Sequence, residues 1–281
     1  MTPTDSTTPN YGEEELVELT SFNLENTHER DSHIRFYPKK HIYTFDEIPV
    51  TPVSTVIASW FPAFDAESIA ERKATKECPK EKLMEEWEAN GMKARIIGTF
   101  MHQQIEYALL GRDFSNACTF DYHGAFINTE EQIDISRELE LFQHFIQDKQ
   151  PQSFRTEWRI CDEEHHIAGT IDYLTRNEQG EYIMYDWKRS NKIVCEGDTE
   201  TRTIVNDYRR HAYGLLSHLS DTPYSHYCLQ QNLYRYMLRK HYGIELSAMY
   251  LVVLYPTNRT YHCVEVPAMD KEVEIILSRL G

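Results

Sequence analysis

The sequence predicts an α/β domain, a β-sheet flanked by helices, on three observations. Apolar residues recur at helical spacing in two long stretches before residue 150. Three short strand-like runs separated by turn signals then occupy 154–187, and the chain closes with a further helix and two more strands. Helices, then a meander, then helix and strand again is the order of a layered α/β architecture.

The elements follow in chain order. Residues 1–30 read as a tail expected to be disordered, with seven acids against Arg30 alone. Residues 36–55 look extended, with His41-Ile-Tyr-Thr-Phe45 alternating and Pro49 and Pro52 interrupting. A helical region opens at Val53 after Ser54 or Thr55 as cap and runs to Glu71. Glu81–Glu88 reads as a helix stopped by Gly91, and Ala94–Leu110 as the next, with Ile97, Met101, Ile105, Ala108 and Leu109 on one stripe. Glu130–Gln147 reads as an amphipathic helix. Phe154–Cys161, Ile167–Thr175 and Tyr182–Trp187 read as three strands joined by turns at Asp162-Glu163-Glu164 and Asn177–Gly180. Helices are expected over Asn206–Ser217 and Tyr224–Tyr242, strands over Leu246–Tyr255 and Thr260–Val266, and a short helix over Asp270–Leu280. Residues 31–281 are therefore expected to form a single domain. It divides into an N-terminal helical extension (31–93), a core (94–266) and a C-terminal helix (267–281).

Composition narrows the function. The 281 residues are 41% hydrophobic and 12% aromatic, as in a folded globular protein. No run approaches the ~20 apolar residues that span a bilayer, and Met1–Asn10 lacks the pattern of a signal peptide. A soluble protein, intracellular and cytoplasmic, without a membrane partner, is expected. The six cysteines form no C-x-x-C pair, which argues against a zinc ribbon or an iron–sulfur cluster. The net charge of −16, of which residues 1–30 carry −6, argues against binding polyanions over the whole surface. Any nucleic acid must meet a local basic groove, with cations neutralising acids in the site.

Four pieces of sequence carry chemistry. In Gly98-Thr-Phe-Met-His102-Gln-Gln-Ile-Glu106, His102 and Glu106 are one helical turn apart and share a face. In Gly169-Thr-Ile-Asp172, a carboxylate sits late in an apolar strand, where charges are rare without a partner. In Asp186-Trp-Lys188, positions i and i+2 share one face of the next strand. In Leu229-Gln-Gln-Asn-Leu-Tyr-Arg-Tyr236, Gln230 and Tyr234 share a helix face. Each alone reads equally well as a polar stripe, a turn acid, an ion pair or helix-surface packing. Together, two carboxylates and a histidine can hold one or two Mg²⁺ or Mn²⁺ ions, and an ammonium group beside them can stabilise charge on a phosphate.

In this order and on these elements the four pieces resemble the PD-(D/E)xK nucleases, in particular their RecB-like, lambda-exonuclease-like branch. The group of mitochondrial genome maintenance exonucleases is closest in style. The resemblance covers about residues 94–256. It implies a restriction-endonuclease-like core, a central mixed sheet flanked by helices, and DNA hydrolysis from single-stranded or frayed duplex ends with Mg²⁺ or Mn²⁺. It implies His102, Asp172, Asp186 and the carbonyl of Trp187 as metal ligands and Lys188 as the catalytic lysine. Glu106, Glu157, Gln230 and Tyr234 would assist metal or phosphate. It also implies roles in DNA repair or recombination. Ile171 stands where the family name has proline. Arg189–Tyr227 would be the segment that contacts the strand, with Arg189, Lys192, Arg202, Arg209, Arg210 and His211 as cations and Tyr208 and Tyr213 for base stacking. Ser54-Thr55 and Trp60-Phe-Pro62 would belong to an arch over the DNA, or to the core. An endonuclease with the same site, or a non-catalytic nucleic-acid-binding or assembly module on the same fold, are the alternatives.

Overall fold

A computed structural model describes residues 13–14, 22–121, 130–196, 201–203 and 209–281. In chain order these form α1 (Phe22–Glu25), a 3-10 turn (Glu29–His33), β1 (Ile34–Tyr37), β2 (Ile42–Phe45), β3 (Ile48–Pro52), α2 (Val53–Ala58), α3 (Ala66–Lys73) and α4 (Lys80–Leu109). There follow β4 (Ala117–Asp121), β5 (Glu130–Asp134), α5 (Ser136–Lys149), β6 (Ser153–Asp162), β7 (Ile167–Arg176), β8 (Tyr182–Lys188), β9 (Val194–Glu196) and β10 (Thr201–Thr203). A second 3-10 turn (Gly214–Leu216), α6 (Pro223–His241), β11 (Leu246–Val253), β12 (His262–Glu265) and α7 (Asp270–Ser278) complete the chain.

The architecture is α/β, with one eight-stranded mixed sheet at its centre in the order β1-β2-β3-β7-β8-β11-β12, and β6 added on β7. Pairing is antiparallel except for β3 on β7 and β8 on β11. Helices cover both faces. On one, α2, α6 and α7 pack over Trp158, Ile160, Met184 and Leu251. On the other, α4 and α5 pack Ile97, Met101, Ile105, Leu141 and Phe145 against Tyr173, Tyr185, Trp187 and Val252. No helix among the described residues is long and apolar enough to cross a membrane.

One edge of β7 explains where chemistry can sit. Residues 167–176 are paired along nearly their whole length by β6. Their other edge is shared. β3 takes Ile167 and Ala168, β8 takes Tyr173 to Arg176, and residues 169–172 between them face neither strand. The sheet forks at Gly169-Thr-Ile-Asp172.

Several expected boundaries move. Residues 22–30, placed in the tail, are folded. Asn23 is fully buried, and its Oδ1 accepts from Thr156 N of β6 at 2.9 Å. The extension over 31–93 is not only helical, because its first three strands join the main sheet through β3. The helical region from Val53 to Glu71 splits into α2 and α3 around Pro62, whose ring removes a helix donor. Gly91 does not stop a helix; α4 runs through it for 30 residues. A glycine ends a helix by turning left-handed, and Gly91 keeps helical geometry at a cost of about 1 kcal/mol. Glu130–Asp134 is a strand, and α5 starts at Ser136, whose amide donates to Asp134 Oδ1 at 2.8 Å. In the region expected as helix over 206–217 only Gly214–Leu216 is helical, as a 3-10 turn, while 204–208 lie outside the described residues.

Candidate metal centre at the fork in the sheet

The fork gathers side chains from five elements. Asp172 comes from β7, Asp186 and Lys188 from β8, Glu157 from β6, His102 from α4, and Gln230 and Tyr234 from α6. Beyond the Tyr173–Tyr185 pair the β7–β8 ladder ends, which frees the main chain of Trp187 on that edge. Its N–H donates to Asp172 Oδ2 at 2.9 Å, and its carbonyl lies 3.0 Å from His102 Nε2. One peptide unit on each side of Trp187 therefore fixes both an acid and the imidazole. The Trp187 side chain is 1% exposed and stacked on Tyr173 at 5.6 Å, so this backbone is rigidly seated.

The other imidazole nitrogen faces carboxylates. His102 Nδ1 lies 3.6 Å from Asp172 Oδ2 and 4.0 Å from Glu157 Oε1. His102, Glu157 and Asp172 each offer a ligand atom within 4.8 Å of the others. Glu157, expected only to assist, thus belongs to the ligand cluster itself. Its backbone stands at φ 45°, a conformation costing a non-glycine residue of order 1 kcal/mol or more. Both neighbours hold it there: Thr156 through Asn23, and Trp158 Nε1 through Asp31 Oδ1 at 2.7 Å. Only the resemblance pointed to Glu157, since β6 also carries Arg155, Thr156 and Arg159; the left-handed turn that aims it was not legible.

Asp186 sits beside this cluster with its Oδ2 ion-paired to Lys188 Nζ. The Lys188 ammonium also lies 4.6 Å from the centre of the Tyr227 ring. Burial pushes the Asp186 carboxyl up to about 6, with Lys188 opposing and Asp172 adding to the rise. Burial likewise raises Asp172, against the pull of Lys188 and the Trp187 amide. Burial alone works against the Lys188 charge, but Asp186 and Asp172 outweigh it and raise this lysine above its ordinary value. His102 is pushed down to about 4 by burial and by Lys188, so its ring is neutral and free to act as a ligand. Two buried acids, a third half-buried one and one ammonium leave an excess of negative charge. An imidazole nitrogen, carboxylate oxygens and a main-chain carbonyl fit a hard or borderline divalent cation such as Mg²⁺ or Mn²⁺.

On α6, Gln230 Nε2 donates to the Tyr234 hydroxyl at 3.2 Å. Tyr234 lies on the open stretch of β7. A Cβ at position 169 would come within 2.4 Å of its ring and hydroxyl, so only glycine lets the phenol approach. Tyr43 of β2 reaches the same stretch, 3.0 Å from Thr170 Oγ1. Glu106 is half-buried one turn along α4 from His102 and is not within the ligand cluster.

The expected strand-contacting cations divide. Arg189 is held by Glu138 at 2.7 Å, an acid 1% exposed, and leans on Tyr255. Arg210 is held by Asp221 and by the carbonyls of Pro62 and Ala63. These two arginines are structural. Lys192, Arg209 and His211 are exposed, as is Tyr213. Arg202 lies on β10, and Tyr208 lies outside the described residues. Ser54 and Thr55 lie exposed on α2, whereas Trp60 and Phe61 are core residues, 7% and 4% exposed, and not part of an arch.

Compared with known proteins, the chain matches no family model. No curated protein matches it either.

Proposed function

We propose that this chain is a divalent-metal-dependent nuclease of the PD-(D/E)xK type, with a restriction-endonuclease-like core, that hydrolyses DNA from single-stranded or frayed ends. The observation that carries the reading is the convergence at the fork of His102, Asp172, Asp186 and Lys188. His102 comes from α4, 70 residues before Asp172 in sequence, and meets Asp172, Asp186 and Lys188 of the adjacent strands β7 and β8 at the fork. Their order along the chain and their elements also match the resemblance drawn from sequence, which alone supplies the preference for ends and the roles in repair or recombination.

His102, Glu157, Asp172, Asp186 and the Trp187 carbonyl would hold Mg²⁺ or Mn²⁺. The ion supplies charge neutralisation at the scissile phosphate and a more acidic bound water. Lys188, charged and fixed by Asp186, would donate to that water or to a phosphate oxygen as negative charge grows. Gln230 and Tyr234 would line the wall of the cleft from α6. The phenol stays protonated there, because burial raises it well above its ordinary value.

The test is degradation of end-labelled linear single-stranded and duplex DNA, beside a closed circle, with Mn²⁺ or Mg²⁺. Release of short products from linear DNA with the circle intact supports the reading. Rapid loss of the circle favours an endonuclease. No cleavage with any divalent ion favours a non-catalytic module.

A further inference from the structure

At the β6–β7 turn, away from the fork, lies a second cluster of metal-ligating groups. Asp162 closes β6 opposite Ile167, five residues along from Glu157, or roughly 16 Å of strand. There Asp162, Glu163 and His241 each offer a ligand atom within 4.8 Å of the others. His241 is in the last turn of α6, and its side chain is 8% exposed. Its buried Nε2 lies 3.0 Å from Asp162 Oδ1 without a hydrogen bond of good geometry. Two ligands of one ion, each about 2.0–2.2 Å from it, stand at about this separation. Its Nδ1 faces Glu163 Oε2 at 3.9 Å.

The surroundings orient these groups. His165 Nδ1 lies 2.6 Å from Asp162 Oδ2, which turns Oδ1 toward His241. The Asp162 side chain is wholly buried. Two cations are already near: Arg30, paired with Glu163, and Lys240, paired with Glu164 at 2.6 Å and 3.9 Å from Asp162 Oδ1. Asp162, Glu163 and Glu164 leave one negative charge unbalanced against these two.

We infer that Asp162, Glu163 and His241 form a second cation site, suited to a borderline transition-metal ion such as Zn²⁺, that ties the end of α6 to the β6–β7 turn. Here, unlike at the fork, the nitrogen and two carboxylates are not joined, among the described residues, by a further acid and a main-chain carbonyl, a smaller and less oxygen-rich set that suits Zn²⁺ better than Mg²⁺ or Ca²⁺. Its role is structural, since α6 also carries Gln230 and Tyr234 into the fork. The inference does not depend on the nuclease reading.

The experiment titrates Zn²⁺ by calorimetry into the metal-stripped full chain carrying His102→Ala and Asp172→Asn, which removes the fork as a binder. One Zn²⁺ is expected to bind and to raise the thermal midpoint. Adding His241→Gln is expected to weaken binding about tenfold or more. Lys240→Gln, at a more accessible position, removes the competing ammonium and is expected to tighten binding. Repeating that comparison in the otherwise unaltered chain keeps the test open if the double variant fails to fold. Absence of Zn²⁺ binding, or an affinity indifferent to both His241→Gln and Lys240→Gln, overturns the inference.

Discussion

His102 Nε2 stands 3.0 Å from the carbonyl of Trp187, while the amide of the same tryptophan holds Asp172. A residue with no ionisable group thereby sets the spacing between an imidazole and a carboxylate. It can do so because β8 continues past the end of its ladder with β7 while β11 still pairs its other edge through Lys188.

Glu157 lies on the open side of His102, 4.0 Å from its Nδ1. Glu157→Gln keeps the shape and removes the charge. It is expected to weaken Mn²⁺ binding about tenfold or more, measured by calorimetry, with little change in thermal midpoint. Unchanged Mn²⁺ affinity would remove Glu157 from the ligand set.

Lys188 and Asp186 form a buried pair, with side chains 14% and 4% exposed. Lys188→Met is expected to lower cleavage on the order of 10²–10³-fold, as for loss of a donor to developing charge. It should also destabilise the metal-free protein by about 3 kcal/mol, because Asp186 is left without its counterion. The double variant Asp186→Asn with Lys188→Met should recover much of the stability and none of the activity. Denaturant unfolding and the DNA assay, run in parallel, separate the two effects. Activity retained in Lys188→Met contradicts its role.

Gly169 admits Tyr234 to the fork. Gly169→Ala is expected to destabilise by about 1–3 kcal/mol through overpacking. Adding Tyr234→Leu should relieve most of that loss. Additive losses in the double variant would show that the two positions do not meet.

Glu196 gives the acid limb of stability a specific contributor. Burial works against its charge, but the amide of Arg259 at 2.7 Å and His262 Nε2 at 2.6 Å hold the carboxylate below its ordinary value. A depressed acid contributes stability above its unfolded value, about 4.3, and loses it as pH falls through the folded value. Glu196→Gln is expected to cost about 1 kcal/mol near pH 7 and less near pH 3. Denaturant midpoints at both pH values check this; a pH-independent cost would contradict it.

Much of the fold and of the candidate site is legible in the sequence. The meander β6–β7–β8 follows from alternation and turn residues, and α6 lies within the helix expected over Tyr224–Tyr242 but for its first residue. Asp172, Asp186 and Lys188 stood out because charges in apolar strands are rare. Their meeting with His102 depends on the fork, which depends on β3 joining β7 through two residue pairs. No local pattern encodes so short a parallel contact. The docking of residues 22–31 on β6 was equally hidden: Asn23 and Asp31 are polar, and their partners Thr156 and Trp158 lie more than a hundred residues away. Arg189 was expected to contact DNA on the resemblance alone, and its partner Glu138 lies on α5, 51 residues earlier in the chain.

The most direct test is the position of a bound ion. Crystals of the full chain grown with Mn²⁺ should show an anomalous-scattering peak in the fork, within about 2.0–2.3 Å of a His102 nitrogen and of carboxylate oxygens of Asp172 and at least one of Glu157 and Asp186. A fork without Mn²⁺, its acids still closed on Lys188 and the Trp187 amide under conditions that support cleavage, would contradict the proposed centre.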